Sequence, residues 1–305
     1  MNDPNALLSR KVVQFLAVFD TGNIHRAADQ LGISQPALSM SLKQLEEELG
    51  APLFQRRPRG VVPTEAGDIF YRFATSSRQA ARIAAEEITA LTSGTSGKLR
   101  LGAGVAWTTT VLPGVLVDLH AQYPGMLIDV VTGVGDQLAA WFLSGEIDVI
   151  LAAGSMTSLD TPDIETEFVV NLPMRVVADP NNDLARCEVV TPADLVQVEW
   201  AGFYEDQSFL HLARHYMSLR GLPPPKIALR SNSAAALTSL VQGTDFITIL
   251  ISPLADASQN SGLVELPLSE PLWEMPVNIY YRRAASRLGA LRAFRDRVRS
   301  EFACL

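Results

Sequence analysis

Ser34-Gln-Pro-Ala-Leu-Ser-Met-Ser-Leu-Lys-Gln-Leu-Glu-Glu-Glu-Leu-Gly50 is the stretch on which the reading of this chain turns. Ser34 is an N-cap residue, whose hydroxyl accepts a free amide hydrogen of the first helical turn. Pro36 falls within that turn, where a missing N–H costs little. Leu38, Leu42, Leu45 and Leu49 recur at helical spacing and predict one apolar stripe. Gly50 supplies the stop. Pro36, Ser39, Met40 and Lys43 lie away from the stripe, with Gln35 at the tip. Small polar groups at a helix tip, with a cation further along, suit insertion into a major groove.

The residues before this helix separate that reading from an ordinary amphipathic helix. Ile24-His-Arg-Ala-Ala-Asp-Gln-Leu-Gly32 predicts a short helix whose Ala27, Ala28 and Leu31 form a small face, suited to close crossing by a second helix. Gly32-Ile33-Ser34 is a turn of the length that joins the two helices of a helix-turn-helix. Upstream, Val12, Val13, Phe15, Leu16 and Phe19 predict a supporting helix from Ser9 to about Asp20, broken by Thr21-Gly22-Asn23. A DNA-binding helix-turn-helix is favoured over a structural helical hairpin.

From about residue 9 to 67, with AADQLGISQPALSMSLKQLEEELGAPLFQR and PTEAG, the chain resembles the N-terminal domain of LysR-type transcriptional regulators, without a gap. Met40 departs from the pattern, since family members often carry Arg there. The resemblance implies an all-α-type winged helix-turn-helix N-terminal domain (1–63), a dimerising linker helix (64–92), a hinge (93–97) and an α/β effector domain. Gln55 to Pro63 reads as the wing, its Arg56, Arg57 and Arg59 presented to phosphate or minor groove rather than merely solvated. Thr64 is a candidate N-cap for the next helix. Periodicity through Ile69, Phe70, Phe73, Ala80, Ile83, Ala84, Ile88 and Leu91 extends that helix to about 40 Å, so it needs a partner, most simply a second subunit. Thr92-Ser-Gly-Thr-Ser-Gly97 follows as a linker of small polar residues.

Composition bounds the rest. The 305 residues are 48% hydrophobic and 19% charged, enough for two or three domains with cores. A formal net charge of −8 argues against coating nucleic acid by bulk electrostatics, so a local basic patch must bind it. Neither a signal peptide nor a membrane-length apolar run is visible, and the expected location is cytoplasmic. Cys187 and Cys304 lack metal or redox spacing and read as buried or incidental thiols.

Beyond the hinge, strands and helices alternate, which predicts a mainly parallel sheet with covering helices. Strands are expected at 99–104, 127–131, 148–152, 165–170, 175–178, 197–203, 226–230, 246–250, 263–266 and 273–281. Helices are expected at 108–122, 136–144, 209–220, 234–242 and 288–302. The segments LPGVLVDLHAQYPGMLIDV, LSGEIDVIL and SNSAAALTSLVQGTDFITILISPLA resemble the family's effector domain, two lobes built like a periplasmic binding protein. The implied division is lobe I at 98–163 plus 269–305 and lobe II at 164–268.

Ligands of open α/β lobes sit past the carboxyl ends of strands. Four such edges are legible: Gly104 to Thr109, Gly133 to Asp136, Phe203 to Ser208, and Ser231 to Ser233. Alignment with the family's effector pocket implies Ala106, Thr108, Val134, Phe203 and Ser231 as contacts, with Trp107, Tyr204 and Asn232 beside them. Family members often have Ser or Thr where Ala106 and Val134 stand, which points to a more apolar effector. Trp107 and Phe203 read equally well as packing residues. None of the four edges carries Lys or Arg, so a carboxylate would depend on backbone amides, hydroxyls or a cation from elsewhere.

Other chemistry finds little support. His211 and His215 share a helical face but lack a third ligand. There is no nucleophile elbow and no P-loop. The arginines at 282, 283, 287, 292, 295, 297 and 299 read as a solvated, salt-bridged face. A transport protein would lack the helix-turn-helix, and an enzyme would need a nucleophile–base pair or a cofactor motif. The expected function is a sequence-specific DNA-binding regulator with a small-molecule effector and no cofactor. In it, Gln35 and Ser39 meet base edges at a tip shared with Ser34 and Pro36, and Arg26, Lys43 and the wing arginines meet phosphates. The resemblance further implies an inverted-repeat site, a dimer of dimers that bends its promoter, and RNA polymerase as a candidate partner.

Overall fold

The structure, a computed structural model, describes residues 7–58, 60–93, 98–203, 207–286 and 288–303. Arg59, most of the expected hinge, Tyr204 and Cys304 lie outside the described residues. The chain divides into two compact units. The first comprises residues up to Lys98, grouped with 125–127 and 143–146, and the second comprises the remainder.

In the first unit, α1 (Arg10–Thr21), α2 (Ile24–Leu31) and α3 (Gln35–Leu49) are each closed by a glycine in the left-handed region, Gly22, Gly32 and Gly50. Asn23 caps α2 by accepting from the amides of His25 and Arg26 at 2.9 and 3.2 Å, and Ser34 accepts from Ala37 N at 3.4 Å. Ala27 and Ala28 are buried, as the small face predicted, in a core with Phe15, Val18, Leu38, Leu42 and Leu45. Leu49, expected on the stripe, is instead 46% exposed, because the core ends one turn earlier and the chain turns away at Gly50.

The hairpin β1 (Phe54–Arg57) and β2 (Gly60–Pro63) pairs Phe54 with Pro63 and Arg57 with Gly60. Helix α4 (Glu65–Ser93) then starts with Thr64 as its cap, whose hydroxyl accepts from Gly67 N at 3.0 Å. Phe70 meets Phe15 edge-on at 4.7 Å between ring centres, and Tyr71 stacks on Phe19 at 3.8 Å. Burial, with Asp20 beside it, raises the Tyr71 pKa. Gly67 is required by space: a Cβ there would stand 2.2 Å from the Leu53 carbonyl oxygen.

Beyond α4 the chain forms β3 (Lys98–Gly104), α5 (Val105–Thr109), α6 (Leu112–Gln122), β4 (Leu127–Gly133), α7 (Gly135–Ser144), β5 (Val149–Ala153) and β6 (Ile164–Ala178), most of it in the second unit. It continues through α8 (Pro192–Leu195), β7 (Glu199–Phe203), α9 (Gln207–Ser218), β8 (Lys226–Ser231), α10 (Ala234–Val241), β9 (Ile247–Ile251) and α11 (Ser252–Gln259). It closes with β10 (Val264–Glu265), β11 (Glu274–Arg282) and α12 (Gly289–Phe302). The strands run in the order β4-β3-β5-β11-β6-β9-β7-β8, with β10 on β6. Parallel pairs (β3 with β5; β7 with β8 and β9) are joined through antiparallel β11 and β6, so the sheet is mixed rather than mainly parallel.

Three local expectations differ. The single helix read at 108–122 is two, α5 and α6, and neither the short α8 nor α11 was foreseen. The strands expected at 165–170 and 175–178 are one strand, β6. Its residues up to Pro173 pair with β11, and Met174 to Ala178 pair with β9. Pro173 looks like a break in sequence, yet a residue without an N–H is tolerated where a ladder hands over from one partner to another. The lobe boundary read at 163/164 therefore meets a strand that belongs to both sheets.

Gly67→Ala is expected to destabilise the first unit by about 1–3 kcal/mol, since the opposing atom is backbone and must be displaced. Chemical denaturation followed by circular dichroism checks this; an unchanged midpoint would contradict the close approach.

Candidate DNA-binding surface and ligand cavity

On α3, Gln35 and Pro36 are exposed at the tip beside the exposed cap Ser34, and Gln35 Nε2 donates to Ser39 Oγ at 2.8 Å. That pair links the two side chains expected at base edges. Met40 is 63% exposed on the same helix. Lys43 pairs with Glu47 at 3.5 Å, both ends exposed, an interaction weak enough to be exchanged for a phosphate. Arg26, Arg56 and Arg57 are exposed, and Arg57 donates to Gln55 at 3.3 Å. Nothing is described for Arg59.

The far end of α3 holds a feature that sequence reading missed. Glu46, Glu47 and Glu48 crowd the negative end of the helix dipole, where acids are unfavourable. Each has a partner: Glu46 accepts from Leu53 N at 2.7 Å and Phe54 N at 3.1 Å, Glu47 takes Lys43, and Glu48 takes Lys11. Glu46 thereby ties the helix to the start of the wing. Acids at the wrong helix end were the available signal.

In the second unit a cavity of about 130 Å³ lies where strand ends from both lobes converge. Ala106, Trp107, Val134 and Phe203 line it, as do Gly104, Gly133 and Gly135. Trp107 is also fully buried and packs edge-on against Phe302 at 5.2 Å, so it is a packing residue that also forms part of the cavity wall. Thr108, Ser231 and Asn232 are not among the lining residues. The Thr108 hydroxyl donates to Val105 O at 2.9 Å within its own turn, and Ser231 Oγ accepts from Ser233 N at 3.1 Å. Asn232 is exposed. Their loop follows β8, the outermost strand in the order, two places from β9, whose Ile249 and Ile251 do line the cavity.

The lining residues absent from the sequence reading are Ala152 to Met156, Leu138, Met174, Ile249, Ile251, Leu254, Trp273 and Met275. The first group spans the end of β5 and the residues after it, and Gly154-Ser155 after an apolar strand was a legible edge. The others lie on α7, β6, β9, α11 and β11 or, for Trp273, just before β11, and only the tertiary fold brings these elements together. Gly154 is held in the left-handed region at φ +88. Its N donates to Pro276 O at 2.8 Å, and its O accepts from Asn278 Nδ2 and Tyr280 OH, both at 3.1 Å. Tyr280 OH in turn accepts from Met156 N at 3.1 Å. Burial, chiefly, raises the Tyr280 pKa, which keeps the phenol protonated and able to donate.

Elsewhere, no group of three His, Cys, Asp or Glu among the described residues is arranged to hold a metal ion. Cys187 is exposed rather than buried. Three arginines of α12 are engaged in ion pairs, Arg295 and Arg299 with Glu167 and Arg297 with Asp118. No described helix is long and apolar enough to cross a membrane.

A winged helix-turn-helix in one unit and a two-lobed α/β domain with a cavity in the other define a ligand-responsive DNA-binding regulator. Residues 9–68 match the profile of the bacterial regulatory helix-turn-helix protein, lysR family, and residues 92–303 that of the LysR substrate binding domain. The chain belongs to the LysR-type transcriptional regulators, a family of regulators and not of enzymes. It is 28% identical over 297 residues to the HTH-type transcriptional regulator GbpR of Azospirillum brasilense, covering 94% of this chain and 86% of that one. Among solved structures it resembles full-length LysG of Corynebacterium glutamicum with bound effector Arg (TM-score 0.67, 17% identity, 98% of each chain). It also resembles full-length CbnR complexed with its target DNA (TM-score 0.59, 21% identity, 96% of this chain and 99% of that one).

Tyr280→Phe is expected to cost about 1–3 kcal/mol, because the buried Gly154 carbonyl loses a donor and the half-buried amide of Met156 its acceptor. Urea unfolding of the full chain measures it; a loss within experimental error would mean the hydroxyl holds nothing in place.

Proposed function

We propose that α3 and the wing form the DNA contact surface. Gln35 and Ser39 read base edges beside Ser34 and Pro36, and Arg26, Lys43, Arg56, Arg57 and Arg59 contact phosphates. The observation that carries this reading is the exposed, hydrogen-bonded Gln35–Ser39 pair at the tip of a helix whose opposite face buries Leu38, Leu42 and Leu45 in the core. The net charge of −8 makes such local cations necessary. CbnR, of similar fold, is known bound to its target DNA.

Residues 1–63 are the DNA-binding domain, 64–92 the dimerising linker, 93–97 a hinge, and 98–163 plus 269–305 and 164–268 the two lobes, with β6 common to both. The linker reading is supported by Ile69 (56% exposed), Phe73 (58%) and Ile88, three large apolar side chains facing solvent on α4. Pairing with α4 of a second subunit would cover them. Two recognition helices then read an inverted repeat, and a pair of such dimers bends the promoter. The effector sits in the cavity lined by Ala106, Trp107, Val134 and Phe203; the family resemblance adds Thr108, Tyr204, Ser231 and Asn232 as further candidate contacts. Its binding changes the spacing of the dimers and access of RNA polymerase, in the cytoplasm.

Footprinting on the DNA upstream of its own gene tests the first part. An inverted repeat is expected to be protected, with Gln35→Ala relaxing base preference and Arg56→Ala weakening binding on every sequence; equal effects on specificity would refute the division. Phe73→Glu is expected to lower the mass seen in sedimentation by at least half. Unchanged mass would remove α4 as the subunit contact.

A further inference from the structure

We infer that the effector is a neutral molecule built on a single aromatic ring, not an anion. This rests on the cavity being the effector site, as proposed above. Three observations carry it. First, among the described lining residues there is no Lys, Arg, His, Asp or Glu, and Ser155 supplies the one side-chain hydroxyl. A carboxylate held there would lose its hydration with no cation to replace it, and the backbone amides at the starts of α5 and α7 offer hydrogen bonds without the full charge that balances a buried anion.

Second, the wall is chemically unusual. Met156, Met174 and Met275, three of the seven methionines in the chain, meet at the cavity with Trp107 and Trp273. Thioether sulfur is polarizable and makes favourable contacts with aromatic rings, and indoles stack or meet them edge-on. Unbranched methionines also adapt to the outline of a flat ligand. Ala106 and Val134, at the starts of α5 and α7, present methyl groups and no hydroxyl.

Third, the size fits. The cavity is about 130 Å³, and an apolar cavity of about 150 Å³ holds benzene. One ring with a small polar substituent directed at Ser155 fills it.

The test is titration of the full-length protein at neutral pH with benzyl alcohol, benzamide and benzoate, read by tryptophan fluorescence and calorimetry. Two variants run alongside: Ala106→Leu, which fills the cavity, and Met156→Lys, which brings a cation to it. The neutral rings are expected to bind at least tenfold more tightly than benzoate, to lose at least tenfold with Ala106→Leu, and to yield to benzoate in Met156→Lys. Should Met156→Lys fail to fold, the comparison of neutral and anionic rings on the wild type still decides. Benzoate binding the wild type as tightly as benzyl alcohol, with both weakened by Ala106→Leu, would overturn the neutral class while leaving the cavity as the effector site. Rings that bind but ignore Ala106→Leu would remove the cavity itself. No binding by either neutral ring overturns the inference.

Discussion

Strand β6 is the constraint on which the ligand-binding unit depends. Its 15 residues hydrogen-bond to β11 along the first part and to β9 along the second, and the change occurs at Pro173–Met174. One continuous strand thereby joins two sheets, and a gap opens where they diverge. Met174 stands at the hand-over, with Ile251 opposite it in the register, and both line the cavity beside Met275. The loop after β5 is held to the same place by backbone and side chains of β11, since Asn278, Tyr280 and the Pro276 carbonyl all bind Gly154. A buried carbonyl with two donors is held firmly, so this wall of the cavity is preset rather than formed by the ligand.

The DNA-binding unit is organised by close approach and by charge placement. Ala27 and Ala28 allow the helices of the motif to cross, and Gly67 allows α4 to begin against the Leu53 carbonyl. Three acids at the end of α3 oppose the helix dipole and each has a partner, one of them the amides that open the wing. Recognition helix and wing are thus coupled through Glu46. Their relative position is set before any DNA arrives, which keeps the ordering cost of binding low.

Legibility followed the range of the interactions. Caps at Ser34 and Thr64, the glycine stops and the buried Ala27–Ala28 face were readable because each depends on neighbours within a few residues. Ala106, Trp107, Val134 and Phe203 were readable because they sit at ends of strands, a local landmark. Thr108 and Ser231 sit at similar landmarks but spend their hydroxyls on nearby backbone. Met174, Trp273 and Met275 carried no local mark at all.

By itself the sequence determined the helix-turn-helix, the wing, the long helix and the alternation of strands and helices, since periodicity, caps and turns act over short distances. It also determined that any DNA contact must be local, because the net charge is negative. Only the tertiary structure decided that one strand serves two sheets, that Leu49 faces solvent, and that three methionines and two tryptophans from distant segments enclose one uncharged cavity. Strand pairing between residues about a hundred positions apart depends on the energy of the whole sheet, which no short window of sequence contains.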